Sequence, residues 1–160
     1  MPAARNSFCK IGKALGVDFP KCFDTTCIEL GATLLKIKGV VYADDSKSIG
    51  VLLTASRRYQ PERAKEYLWY SVHPEQLALM AGYEHRFISL GFGIDGNIFL
   101  LPIGEFEKHK DSLSMSPKNK KRKREAYWHL KIYEIDGELR VATRRGLPWI
   151  SMTSYLKAGC

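Results

Sequence analysis

The chain has 160 residues, 45% of them hydrophobic, with 25 Lys and Arg against 17 Asp and Glu. That length and composition suit one domain able to bury a core without disulfides or metal, and exclude a disordered chain of low hydrophobicity. No apolar run approaches the roughly 18 residues of a membrane span, and the opening MPAARNSFCK has no secretory h-region. These features predict a soluble, intracellular protein.

In chain order, Ser7 stands as an N-cap before Phe8, Ile11 and Leu15 at helical spacing, with Gly16 as the stop. This predicts a short helix within an N-terminal helical segment of residues 1–31. The phrase IGKALGV has the look of the first half of a helix-turn-helix. Asp18-Phe19-Pro20 is read as breaking the backbone where a second helix would begin.

The α+β core is expected over residues 32–156. Thr33 to Ala43 and Ile49 to Ala55 read as two strands joined by the polar turn Asp44-Asp45-Ser46-Lys47-Ser48. Tyr67 to Val72 reads as a third strand, running through His73-Pro74 into a short helix at Glu75 to Met80. Arg86 to Gly93 and Asn97 to Pro102 flank Asp95-Gly96, a strong hairpin signal. Gly104 to Lys110 reads as one or two helical turns, and residues 111–125 as a Ser-rich, basic loop. Tyr127 to Tyr133 and Glu138 to Ala142 then form a second hairpin across Asp136-Gly137, and Ser151 to Leu156 a short ordered finish. The sum is an α+β fold, a mixed and largely antiparallel sheet of about seven strands with about three short helices packed against it.

Charge is concentrated. Six of the seven residues from 118 to 124 are basic (Lys118, Lys120, Lys121, Arg122, Lys123, Arg124), and they account for six of the eight excess positive charges. Such a cluster between folded segments is the footprint of a surface that neutralises phosphates. Arg57-Arg58 and Arg144-Arg145 add guanidinium pairs at strand ends, with the fork geometry that suits phosphate oxygens. Tyr59, Trp128 and Trp149 lie near these clusters and could stack on bases; the alternating strand around Trp128 assigns that ring to the core instead.

The catalytic constellations are missing. Gly91-Phe92-Gly93 with Gly96 spells G-x-G-x-x-G but straddles a hairpin instead of opening a helix, and Ser71-Val72-His73 is no nucleophile elbow. Cys9, Cys22, Cys27 and Cys160 lack paired zinc spacing and read as reduced thiols; Cys22 and Cys27 could join His73, His85, His109 or His129 only without short ligand spacing. No metal and no cofactor is assigned.

The succession of three strands, a helix, and a strand pair closing on Phe99-Leu100-Leu101-Pro102-Ile103-Gly104-Glu105-Phe106 resembles the restriction-endonuclease-like PD-(D/E)XK fold over residues 33–110. The resemblance implies a metal-dependent nuclease with Asp44 or Asp45 as first acid. The family's acid-x-lysine pair on the next strand is not matched: Val51 to Arg57 holds no carboxylate and puts Arg57 where a lysine would stand, so Glu62 or Glu66 would have to complete the site.

Three functions remain open at this level. The first is a nucleic-acid-binding domain, DNA before RNA, using Lys118 to Arg124 with Arg57, Arg58, Tyr59, Arg144, Arg145 and Trp149. The second is a divergent nuclease, and the third a protein-interaction domain whose basic run is an import address.

Overall fold

The structure is a computed structural model describing residues 16–123 and 125–159. The helix expected to start at Ser7 lies outside the described residues, as do Arg124 and Cys160.

The first described helix, α1 (Phe19–Leu30), begins where the backbone was expected to break. Asp18 caps it by accepting from the Lys21 amide at 3.1 Å, and Pro20 sits in the first turn. No intrahelical donor is needed there, so proline starts this helix instead of breaking it.

The chain is α+β, with mixed and largely antiparallel strand pairing. Its strands divide between two sheets instead of gathering in one. The first contains β1 (Leu35–Lys38), β2 (Val41–Ala43), β3 (Ile49–Ser56), β6 (His85–Phe92), β7 (Asn97–Pro102) and β12 (Leu156–Lys157), neighbouring in that order. The second runs β11 (Ile150–Ser151), β10 (Glu138–Val141), β9 (Tyr127–Ile135), β5 (Tyr67–Val72), β4 (Arg58–Tyr59), with β8 (Ser114–Ser116) also on β9. The run expected as one strand from Thr33 to Ala43 is a hairpin, because a turn at Gly39-Val40 splits it. The expected loop from Asp111 likewise contains β8. Both Asp-Gly hairpins form as expected, β6–β7 and β9–β10; Asp136 and Gly137 both take positive φ, 51° and 81°, which matches the right-handed strand twist.

β3 and β6 pair in parallel over eight residues. A parallel pair needs a long crossover, and here it leaves the sheet, builds β4 and β5 in the other one, and returns through α2 (Pro74–Ala78). Alternation then sorts side chains by layer. Leu52, Ile88, Leu90 and Phe99 meet Leu68, Tyr70, Leu130 and Ile132 between the sheets, and Phe92 stacks on Phe99. From the opposite face, Leu34, Val51 and Leu53 receive Phe19, Phe23 and Leu30 of α1. β3 is thus covered on both faces and reads as a nearly continuous apolar run. α3 (Ile103–His109) adds Phe106 to the inter-sheet core, where it meets the edge of half-buried Trp128. The core assignment of Trp128 agrees with this contact.

α1 reaches the sheet closely at Gly91, where an added Cβ would sit 2.7 Å from Cys22 Sγ and 2.8 Å from Cys22 Cβ. Gly91→Ala should therefore lower stability by about 1–3 kcal/mol through overpacking, read as a lower urea midpoint. An unchanged midpoint would mean that α1 docks loosely. Beside this contact the Thr26 hydroxyl donates to the Cys22 carbonyl at 2.8 Å, so Ser89 Oγ, also 2.8 Å away, is the donor between the two hydroxyls.

Candidate nucleic-acid interface

The two long strands of the second sheet turn one face to the core and present a row of rings on the other. Along β5, Leu68, Tyr70 and Val72 point into the core while Tyr67, Trp69 and Ser71 face outward. Along β9, Leu130 and Ile132 point inward while Tyr127, His129, Lys131 and Tyr133 share the outer face.

On that outer face the rings touch in an unbroken chain. Trp149 leans on Tyr133 (5.3 Å between centroids), Tyr133 on Tyr67 (5.6 Å), and Tyr67 stacks on Tyr59 (5.3 Å, 12°). Tyr59 meets the edge of Trp69 (6.1 Å), Trp69 stacks on His129 (5.7 Å, 20°), His129 touches Tyr127 (4.8 Å), and Tyr127 stacks on His73 (4.4 Å, 15°). Eight aromatic rings thus form one row across the sheet. Trp69 and Trp149 keep 36% and 41% of their surface exposed.

Hydrogen bonds hold the row in register. Trp69 Nε1–H donates to His129 Nδ1 at 2.9 Å. An indole nitrogen only donates, so Nδ1 carries the lone pair, and the neutral ring's proton sits on Nε2, 2.5 Å from Ser116 Oγ.

Cations lie directly on these rings: the Arg57 guanidinium 4.5 Å from the Tyr59 centroid and the Lys131 ammonium 5.2 Å from that of Tyr67. Arg140 also faces outward, where Glu138 neutralises it at 2.8 Å. β8 and β10 lie end to end along the same side of β9, and the Arg144 amide donating to Ser112 O at 2.8 Å joins them. Over that join is a half-open hollow of about 310 Å³ lined by Tyr67, Trp69, Ser114, His129, Lys131 and Ala142.

Most of the residues expected from the sequence surround this face. Lys118, Lys120, Lys121, Arg122 and Lys123 are exposed in the β8–β9 loop, which springs from the end of the ring row where Ser116 pairs with Tyr127. Asn119 Oδ1 accepts from the Arg122 amide at 3.2 Å, and Lys118 pairs with Glu125 at 3.4 Å. Arg144 and Arg145 are exposed in the β10–β11 loop that also delivers Trp149, and Thr143 Oγ1 fixes that loop by donating to Leu147 O at 2.9 Å. Arg57 and Tyr59 are in the row itself. Arg58 is placed differently: it is 5% exposed, and its Nε lies 3.2 Å from Glu66 Oε2. Strand alternation turns it inward, so its charge is directed to Glu66 and away from the outer face.

The residues not singled out from the sequence are Tyr67, Trp69, Tyr133, Tyr127 and Lys131. Their signal was partly available: Y-L-W-Y-S-V and Y-W-H-L-K-I-Y alternate with period two, with every aliphatic residue in one phase, joined there by Tyr70 and Trp128, and Tyr67, Trp69, Tyr127, His129, Lys131 and Tyr133 in the other.

Asp44 serves its own turn. Its Oδ1 accepts from the Ile49 and Ser48 amides at 3.0 and 2.9 Å, and its Oδ2 from the Ser46 and Ser48 hydroxyls. These bonds, the Ile49 amide first, lower its carboxyl pKa to about 2. A depressed carboxylate pKa gives stability that is complete above the unfolded value and lost as pH falls through the folded one. The β2–β3 turn should therefore weaken between about pH 4 and pH 2. Asp44→Asn should lose that segment of the acid-unfolding profile while retaining the rest; a profile identical to the original would refute this role. Among the described residues no group of three or more His, Cys, Asp or Glu is arranged to hold a metal ion. Burial pushes the Cys22 thiol up to about 11, which leaves it a poor nucleophile.

No helix among the described residues is long and apolar enough to cross a membrane. No family model matches the chain, and neither a curated protein nor a solved structure is significantly similar to it.

Proposed function

We propose that this protein is a nucleic-acid-binding domain, with DNA as the first ligand, and that the outer face of the second sheet is its contact surface. The observation that carries this reading is the row of eight rings bordered by exposed cations: Arg57 and Lys131 on the row, the basic β8–β9 loop at one end, and Arg144 and Arg145 beside Trp149. Cations attract the phosphate backbone and aromatic faces accept bases; together they match the alternating chemistry of a polynucleotide. The nuclease alternative draws no support from Asp44, whose two oxygens already accept four hydrogen bonds.

The test is binding of labelled DNA and RNA across a salt series. Neutralising about five phosphates gives a slope of log K against log salt of roughly −4.5. A nearly flat slope, or no binding to any probe, would overturn the proposal and return the basic loop to the role of a localisation address. Incubating the same samples with magnesium would reveal cleavage if a nuclease were present.

A further inference from the structure

We propose that the outer face of the second sheet selects single-stranded over duplex nucleic acid by seating an unpaired base in the hollow against Trp69, with Trp149 as a second stacking platform. This rests on the nucleic-acid reading above and adds the form of the ligand.

In a duplex both faces of each base are already covered by neighbouring pairs, so a protein ring on a sheet reaches only phosphates and groove edges. Exposed aromatic faces gain from nucleic acid only where bases are unpaired. Here two of the rings, Trp69 and Trp149, stand out from the surface. Several residues beside the row on the outer face are small: Ser71, paired with His129, and Ser114 and Ser116 on β8, with Ala142 at the join. Both tryptophans keep more than a third of their surface in water, while Leu68 and Val72, the aliphatic residues of the strand that carries Trp69, are buried.

The hollow gives the selection a shape. At about 310 Å³ it lies near the lower end of the roughly 300–1,000 Å³ of small-molecule sites, large enough for a base and far too small for a helix. Tyr67 and Trp69 give it aromatic walls; the Ser114 hydroxyl and the Lys131 ammonium give it polar groups. Lys131 is cross-strand from Trp69, and Arg57 lies over Tyr59, so cations alternate with rings at the spacing of adjacent side chains. The outward carboxylate on β10, Glu138, is already paired with Arg140 and does not oppose a phosphate.

The experiment compares a labelled single strand of about 15 nucleotides with a duplex of the same length at one salt concentration, reading both anisotropy and tryptophan fluorescence. The single strand should bind at least tenfold more tightly and quench tryptophan emission. Trp69→Ala and Trp149→Ala should each weaken single-strand binding by roughly tenfold and leave duplex binding unchanged, and Trp69→Phe, which retains a ring, should recover most of the loss. Equal affinities for the two forms, or alanine variants that bind the single strand as the parent does, would overturn this inference while the nucleic-acid reading stood. Failure to bind either form would overturn both. The strand-to-duplex ratio of the unmodified protein carries the test even if a variant fails to fold.

Discussion

Replacing Lys120, Lys121, Arg122 and Lys123 together by Ala should flatten the salt dependence of DNA binding from a slope of about −4.5 to about −0.9, the loss of four phosphate contacts out of five. Between 50 and 200 mM salt the parent protein should then lose about 500-fold in affinity and the variant only about threefold. The change is confined to exposed side chains of the β8–β9 loop, where substitutions normally alter stability by less than about 0.5 kcal/mol. Weaker binding would therefore report on contact and not on folding, and an unaltered thermal midpoint checks this. The formal net charge falls from +8 to +4, since four positive side chains are removed. A uniform electrostatic effect of that change would slow association without altering sequence or strand preference. A slope unchanged in the variant would assign the phosphate contacts to Arg57, Lys131, Arg144 and Arg145 instead.

The largest effect on stability should come from Tyr70. Its ring is buried between the sheets, and its hydroxyl donates to the Gly91 carbonyl of the facing sheet at 2.9 Å. Burial pushes its phenol well above the ordinary tyrosine value, so it remains a neutral donor at any working pH. Tyr70→Phe removes one hydrogen bond between the sheets, at about 1 kcal/mol. Tyr70→Ala also opens a cavity and should lose about 3–5 kcal/mol, a large part of the 5–15 kcal/mol that holds a typical domain together. Denaturant unfolding followed by circular dichroism separates the two. If Tyr70→Phe matched the parent within about 0.3 kcal/mol, the bond between the sheets would contribute nothing.

Much of the local structure was legible because local chemistry decides it. Asp95-Gly96 and Asp136-Gly137 announce their hairpins through turn residues that few other conformations favour. Pro20 misled because the same residue stops a helix in its interior and starts one in its first turn; only the Asp18 cap distinguishes the cases. The division into two sheets was hidden for a different reason. Alternation tells which side of a strand is apolar, and nothing about which neighbour it faces, so β5 and β9 looked like members of the same sheet as β6 and β7. The interface was half visible for the same reason. Tyr59 and Trp149 stood out through their arginine neighbours, whereas Tyr67, Trp69 and Tyr133 were counted only as strand formers, since an aromatic on the outer face obeys the same period as one on the inner. Arg58 and Arg57 differ by a single position, and that step decides which of them faces Glu66 and which reaches solvent.

The path of the chain has a consequence for how the molecule assembles. It places β1 to β3 in one sheet, β4 and β5 in the other, β6 and β7 back in the first, β8 to β11 in the second, and closes with β12 on β7. Four crossings interleave the two layers like clasped fingers, so neither can be finished before the other is under way. Pairings between remote segments must form together, which places this chain among slow, topology-limited folders. Cutting it at any of these crossings would separate strands that need each other, and the surface that carries the rings would vanish with the layer beneath it.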